Sequence, residues 1–264
     1  MRVGLFIPCY LDQFYPEVAV ATLAVLEGLG LAVDYPLDQT CCGQPMANAG
    51  CADAAEGVHR HFRRTFDGFD TVVAPSGSCV LHVRRHVLGT AAATPRVFEL
   101  CEFLVDVLKT PPLNVRFPYR VGVHAACHGL RGLRLGAGTE RRVPPFDKVA
   151  ALLDRIDGLE RVSLDRPDEC CGFGGTFAVG EEAVSVRMGR DRLQDHLDHG
   201  VEVLTSTDMS CLMHLDGLIR RAQRLGRLTR PLQVMHVAEI LAGVSPAEAA
   251  RRRGARLNGG EVTA

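Results

Sequence analysis

Two doubled cysteines, each followed by glycine, constrain this chain more than any other feature: Cys41-Cys42-Gly43 and Cys170-Cys171-Gly172. One distant cysteine flanks each doublet on either side. Cys9 and Cys79 bracket the first at gaps of 31 and 36 residues, and Cys127 and Cys211 bracket the second at gaps of 42 and 39. A pattern C…CCG…C is thus written twice and takes up eight of the ten cysteines. Adjacent cysteines bond each other poorly, because a disulfide demands a specific separation and dihedral. Their side chains also diverge too far to share one small ion comfortably. A multi-iron cluster offers each thiolate a different iron, and sets of four soft thiolates select zinc or iron–sulfur clusters. The doublets tip the choice toward a cluster, with zinc left open at one site.

The repeat extends past the cysteines. Val97-Phe98-Glu99-Leu100-Cys101-Glu102-Phe103-Leu104 resembles Val234-Met235-His236-Val237-Ala238-Glu239-Ile240-Leu241, and each reads as a strand end running into an amphipathic helix. Matching positions are offset by 118 residues at Cys9/Cys127, 129 at Cys41/Cys170, 132 at Cys79/Cys211 and 137 at Val97/Val234. A duplicated unit gives so smooth a rise when its second copy carries small insertions. Two homologous halves, 1–112 and 113–250, are therefore expected to meet near Pro111-Pro112, with 251–264 a flexible tail. The insertion includes Gly129–Pro145, whose glycines and arginines read as a mobile loop.

Short apolar runs alternate with stretches of helical spacing. Arg2–Pro8, Leu31–Tyr35, Thr71–Pro75, Arg120–His124 and Val201–Thr205 read as buried strands, and Glu17–Leu29 and Ala54–Phe66 as helices. Such alternation predicts an α/β fold of two tandem homologous Rossmann-like units with parallel sheets and right-handed crossovers. Cys9, Cys79, Cys127 and Cys211 then fall just past the carboxyl ends of strands, the edge at which open parallel sheets bind ligands.

Charge narrows the partners. With 30 basic and 31 acidic residues the formal net charge is −1, which gives no electrostatic case for nucleic acid or an anionic membrane. No apolar run approaches the roughly 18 residues of a transmembrane segment. Met1–Pro8 reads as a first strand and not as a secretion signal. A cytoplasmic chain is expected, where thiols stay reduced and clustered cysteines mean metal or catalysis.

Individual residues carry weaker signals. Cys51 and Cys101 stand outside the pattern and are expected to pack in the core. Gly43 and Gly172 let backbone approach the sulfurs and turn with positive φ. His124 and His128 bracket Cys127, and His214 follows Cys211 by three residues; His128 and His214 are candidates to support a ligand. Ser76 and Asp208 each precede a flanking cysteine by three, where a ligand oxygen or a helix N-cap would stand. His82, His86, His196 and His199 read as solvated surface.

These motifs carry a likeness. The doubled pattern, with Cys41-Cys42-Gly43-Gln44-Pro45 matching a CCG-x-P form, resembles the cysteine-rich CCG-domain family, which includes the B subunit of heterodisulfide reductase and the iron–sulfur subunit of glycolate oxidase. Pro75-Ser76-Gly77-Ser78-Cys79 and Cys211-Leu212-Met213-His214 are most similar to its lactate-utilization branch. The resemblance implies a cytosolic electron-transfer subunit that works with a ferredoxin-like iron–sulfur subunit and a third subunit to oxidise L-lactate to pyruvate. It also implies [4Fe-4S] clusters, one or two, held by Cys9, Cys41, Cys42 and Cys79 and by Cys127, Cys170, Cys171 and Cys211. The reductase relatives use non-cubane clusters with a fifth cysteine, which the family pattern places at Ser76 and Asp208 here. Four thiolates suit an ordinary cube, so cubane and non-cubane forms both stay open. His124-Ala125-Ala126-Cys127-His128 replaces the family's His-Asp-Pro-Cys-His. No ferredoxin-type C-x₂-C-x₂-C-x₃-C-P run is present, so a separate partner must supply such clusters, and without a strand-linked G-x-G-x-x-G substrate dehydrogenation by this chain alone is unsupported. Two other classes compete: a zinc-stabilised binding module without redox chemistry, and a thiol–disulfide subunit of the heterodisulfide-reductase kind.

Overall fold

The computed structural model describes residues 2–89 and 94–257. Strands β1 (Arg2–Leu5), β2 (Ala32–Asp34), β3 (Thr71–Ala74) and β4 (Arg96–Glu99) form one sheet in the order β2-β1-β3-β4, every pair parallel. Strands β5 (Arg120–Val123), β6 (Glu160–Arg161), β7 (Val203–Ser206) and β8 (Gln233–His236) repeat it as β6-β5-β7-β8, again all parallel. The β3 run Thr71–Ala74 and the β7 run Val203–Ser206 are buried at every position, the signature of strands covered on both faces. Order reverses between β1 and β3, and between β5 and β7. Each sheet therefore has a switch point where the chain leaves two neighbouring strands in opposite directions and opens a crevice. The expected α/β class of two tandem Rossmann-like units is what the chain adopts.

The two units are not separate bodies. The helix Val237–Leu241 of the second half packs on the helix Pro16–Gly28 of the first. Leu100–Val107 packs likewise on Lys148–Leu153. Val18, Ala21, Leu104, Leu153, Ile240 and Leu241 consequently share one core, and fully burying each large apolar side chain is worth about 1.5–3 kcal/mol. The repeated strand-to-helix segments are built alike. Glu99 accepts the Cys101 and Glu102 N–H groups while Glu102 reaches back to the Glu99 N–H, and His236 with Glu239 forms the same capping box.

Three expectations change. The segment 251–257 is not a loose tail: it continues the helix Pro246–Leu257, and Arg253 binds Glu239 at 2.6 Å and Glu17 at 3.0 Å across the two halves. Residues 258–264 lie outside the described residues. Gly129–Pro145 is not free either. It opens with a π-helical turn, His128–Gly132, buries Leu133 and Leu135 beneath the first half, and ties Arg131 to Glu140 and Asp168. Cys51 is exposed, whereas Cys101 is fully buried as expected. Among the described residues no helix is long and apolar enough to cross a membrane.

Candidate metal centre

The four flanking cysteines follow the two central strands of each sheet. Cys9 opens the helix Cys9–Phe14 after β1, and Cys79 lies in the first turn of Gly77–His82 after β3. Cys127 follows β5, and Cys211 is the third residue of Met209–Arg224 after β7. Each doublet comes in on the loop after the neighbouring strand, β2 or β6. All ten cysteines are free thiols.

Within each half the four thiols form a run of pairwise contacts, Cys9–Cys41–Cys42–Cys79 and Cys127–Cys170–Cys171–Cys211. Cys42 Sγ is 3.4 Å from Cys79 Sγ, in contact but far beyond the bond length of about 2.05 Å for a disulfide. Cys41 accepts from the thiols of Cys42 and Cys9, and Gly43 N–H points at its sulfur from 3.3 Å. These donors hold the Cys41 thiol well below its ordinary pKa, while Cys9 and Cys42, as donors to it, are pushed up. The second half repeats the arrangement. Cys170 accepts from Cys127 and Cys171 and faces Gly172 N–H at 3.4 Å, Cys171 contacts Cys211, and the Cys170 thiol is lowered in the same way. Gly43 (φ +93°) and Gly172 (φ +83°) sit in the left-handed region. A Cβ at Gly43 would lie 2.6 Å from His59 Nε2, and one at Gly172 would lie 2.7 Å from both the Met188 Cβ and the Ser185 carbonyl. Only glycine fits either turn.

Family comparison falls on the same residues. The sequence profile of the CCG cysteine-rich domain matches residues 3–84 and 121–216, once in each half. The chain belongs to the CCG cysteine-rich domain family. It is 38% identical over 252 residues to lactate utilization protein A of Exiguobacterium sp., covering 91% of this chain and 96% of that protein. To lactate utilization protein A of Geobacillus thermodenitrificans it is 36% identical over 251 residues, covering 91% and 98%.

Around the two CCG motifs the histidines divide sharply. His82 and His196, expected on the surface, are 5% and 0% exposed, because the helices that carry them turn these faces inward. His82 stands three residues after Cys79 as His214 stands after Cys211, one helical turn along the same face. His82 Nε2 meets His59 Nε2 at 3.1 Å, and its ring stacks on the exposed His86 with centroids 4.8 Å apart. The repeated C-x-x-H, Cys79 to His82 and Cys211 to His214, carries that signal in the sequence. His128 Nδ1 is 3.9 Å from Cys127 Sγ, and the His214 ring lies 6.1 Å from Phe173. His124 is 1% exposed with both ring nitrogens unpartnered. Its side chain groups with Cys171 and Cys211, ligand-type atoms all within 4.8 Å of one another. Each orphaned buried group costs about 1–3 kcal/mol. Burial pulls the His124 pKa down to about 3, so its imidazole is neutral, the state in which it coordinates metal.

Between the CCG motifs the two halves share one carboxylate. Ser76 and Asp208 are the N-caps of Gly77–His82 and Met209–Arg224. Asp208 Oδ2 accepts Ser78 N–H from the other half at 2.7 Å. Its Oδ1 accepts the Ser210 hydroxyl at 2.6 Å, the Ser210 N–H at 3.2 Å and the Tyr10 hydroxyl at 3.3 Å. Tyr10 also donates to Ser76 Oγ at 3.2 Å. Both predicted oxygens are thus spent on fixing the helices that carry Cys79 and Cys211. Asp208→Ala removes both sets of bonds in a buried place. It is expected to lower unfolding stability by about 2–4 kcal/mol, and Asp208→Asn, which keeps one acceptor, by less. Denaturant melts of the two variants check this; equal stability for Asp208→Ala and the parent would remove Asp208 from the interface.

Proposed function

We propose that the chain is an iron–sulfur electron-transfer subunit of a cytoplasmic L-lactate-oxidising system, with one cluster in each half. Two convergent sets of four free thiols, one at each sheet's switch point, are the observation that carries the reading. The donor chemistry fits: soft sulfur, a doublet that can reach two metals, and a thiol in each set already poised as thiolate. Cys9, Cys41, Cys42 and Cys79 would hold one cluster and Cys127, Cys170, Cys171 and Cys211 the other. A bound [4Fe-4S] cluster supplies one-electron transfer.

The protein's own part is positioning and tuning. Gly43 and Gly172 aim N–H groups at doublet sulfurs, which favours the reduced state of any iron they hold. Cys42, Cys79 and Cys171 are buried, whereas Cys127 and Cys170 are exposed, so the second set has an edge that a partner can approach. The relatives' names point to lactate utilization; in this reading a ferredoxin-like iron–sulfur subunit and a third subunit complete the system. Protein purified without oxygen is expected to be brown, with about four iron atoms per half and a paramagnetic signal on reduction. Colourless protein carrying zinc alone would overturn the redox reading in favour of a structural metal module.

A further inference from the structure

Among the described residues His124 is the one histidine with both ring nitrogens buried and without a hydrogen-bond partner. Its backbone is fixed at the end of β5, where the N–H donates to the Thr205 carbonyl at 2.7 Å and the carbonyl accepts Ser206 Oγ at 2.8 Å. The imidazole is aimed at the second thiol set, grouped with the Cys171 and Cys211 sulfurs. Cys170, Arg192, Asp208 and His214 surround it without bonding it. Other buried histidines have company: His82 faces His59, His196 faces Arg192, and His236 accepts Ala238 N–H. The first half has no equivalent. The offset of 118 residues puts Phe6 in the matching place, packed edge-on against Phe62 and Phe66 with centroids 5.0 and 5.7 Å away.

We propose that His124 is a metal ligand, so that the second half holds a mixed nitrogen–sulfur site with Cys171 and Cys211 while the first half holds an all-sulfur one. The inference rests on the reading above that the second half binds metal. Duplicated motifs with identical cysteines would then serve two different centres, distinguished by a single strand-end residue. Imidazole and thiolate together suit a lone zinc ion or one iron of a cluster. Both require the same thing of His124, a nitrogen in the shell of the ion.

The test uses the full chain, purified without oxygen in a Cys41→Ser background, so that metal remaining belongs to the second half. X-ray absorption at the zinc or iron edge is expected to show one nitrogen scatterer at about 2.0–2.1 Å beside sulfur. Which edge carries it identifies the ion. His124→Phe, which copies the first half, is expected to lose that scatterer and to hold its metal at least roughly 10–100-fold more weakly in competition with a chelator. His124→Cys is expected to retain metal with an all-sulfur shell, which separates ligand loss from misfolding. An all-sulfur shell with His124 intact, or a nitrogen that survives in His124→Phe, overturns the assignment while leaving the cluster reading standing. A second half without any metal overturns both.

Discussion

Cys41→Ser is expected to empty the first half of metal and spare the second, and Cys170→Ser to do the reverse. Each residue is the hub of its set, accepting from two neighbouring thiols and one glycine N–H. Serine places a hard, protonated oxygen where a soft thiolate is needed. If both halves carry clusters, iron is expected to fall from about eight atoms per chain to about four in each variant and to near zero in the double. The residual spectrum should differ between the two single variants, because each retains a different site. Iron measured together with spectra on oxygen-free protein checks this. Unchanged iron in both single variants would sink the ligand assignment. Loss from both halves in one variant would mean that the shared core, with Val237–Leu241 packed on Pro16–Gly28, transmits the damage.

What the sequence made legible was whatever repeats. The flanking cysteines lie past strand ends because each follows an apolar run that ends at a sheet edge, and topology alone brings such edges together. The capping boxes at Glu99 and His236 were visible as one strand-to-helix pattern written twice. Features set by tertiary packing were not. Strand β6 is only Glu160–Arg161, both exposed, so it carries no apolar period to read. Arg192 is 0% exposed because Asp195 and His196 bind it inside the second unit, an arrangement that no local pattern marks. His82 and His196 looked like surface residues because a lone histidine on a helix says nothing about which face is covered. Gly129–Pro145 looked mobile by composition, yet Leu133 and Leu135 anchor it beneath the other half. In sequence His124 stands out only by its nearness to Cys127; its distinction, two buried nitrogens with no partner, exists only in three dimensions.

The metal-free chain is expected to lose stability steeply as pH falls from about 6.5 to 4. Burial depresses His124, His196 and His236 to about 3, 2 and 4. Unfolded, each takes up a proton near 6.5; folded, none does until the pH is far lower. In that window the unfolded state binds more protons, so the stability these histidines contribute is present above 6.5 and is lost as pH falls toward their folded values. Each contributes a slope of up to about 1.4 kcal/mol per pH unit. Glu99 works the other way. Burial raises its carboxyl to about 8, so the folded state keeps a proton that the unfolded chain releases above about 4.5, and stability from this group grows as pH falls through the same range. Glu239 is also raised by burial and pulls in that direction, moderated by Arg253. His82, which burial also lowers to about 4, adds to the same side, so the histidines outweigh the two acids and the net change on acidification is a loss of stability. Denaturant unfolding at intervals from pH 7 to 4 measures it. His236→Gln, which retains an acceptor for the Ala238 N–H, should lower the slope by up to about 1.4 kcal/mol per pH unit. A stability that stays level or rises on acidification would show that these imidazoles are reached by water, and with them the interior of the second half's site.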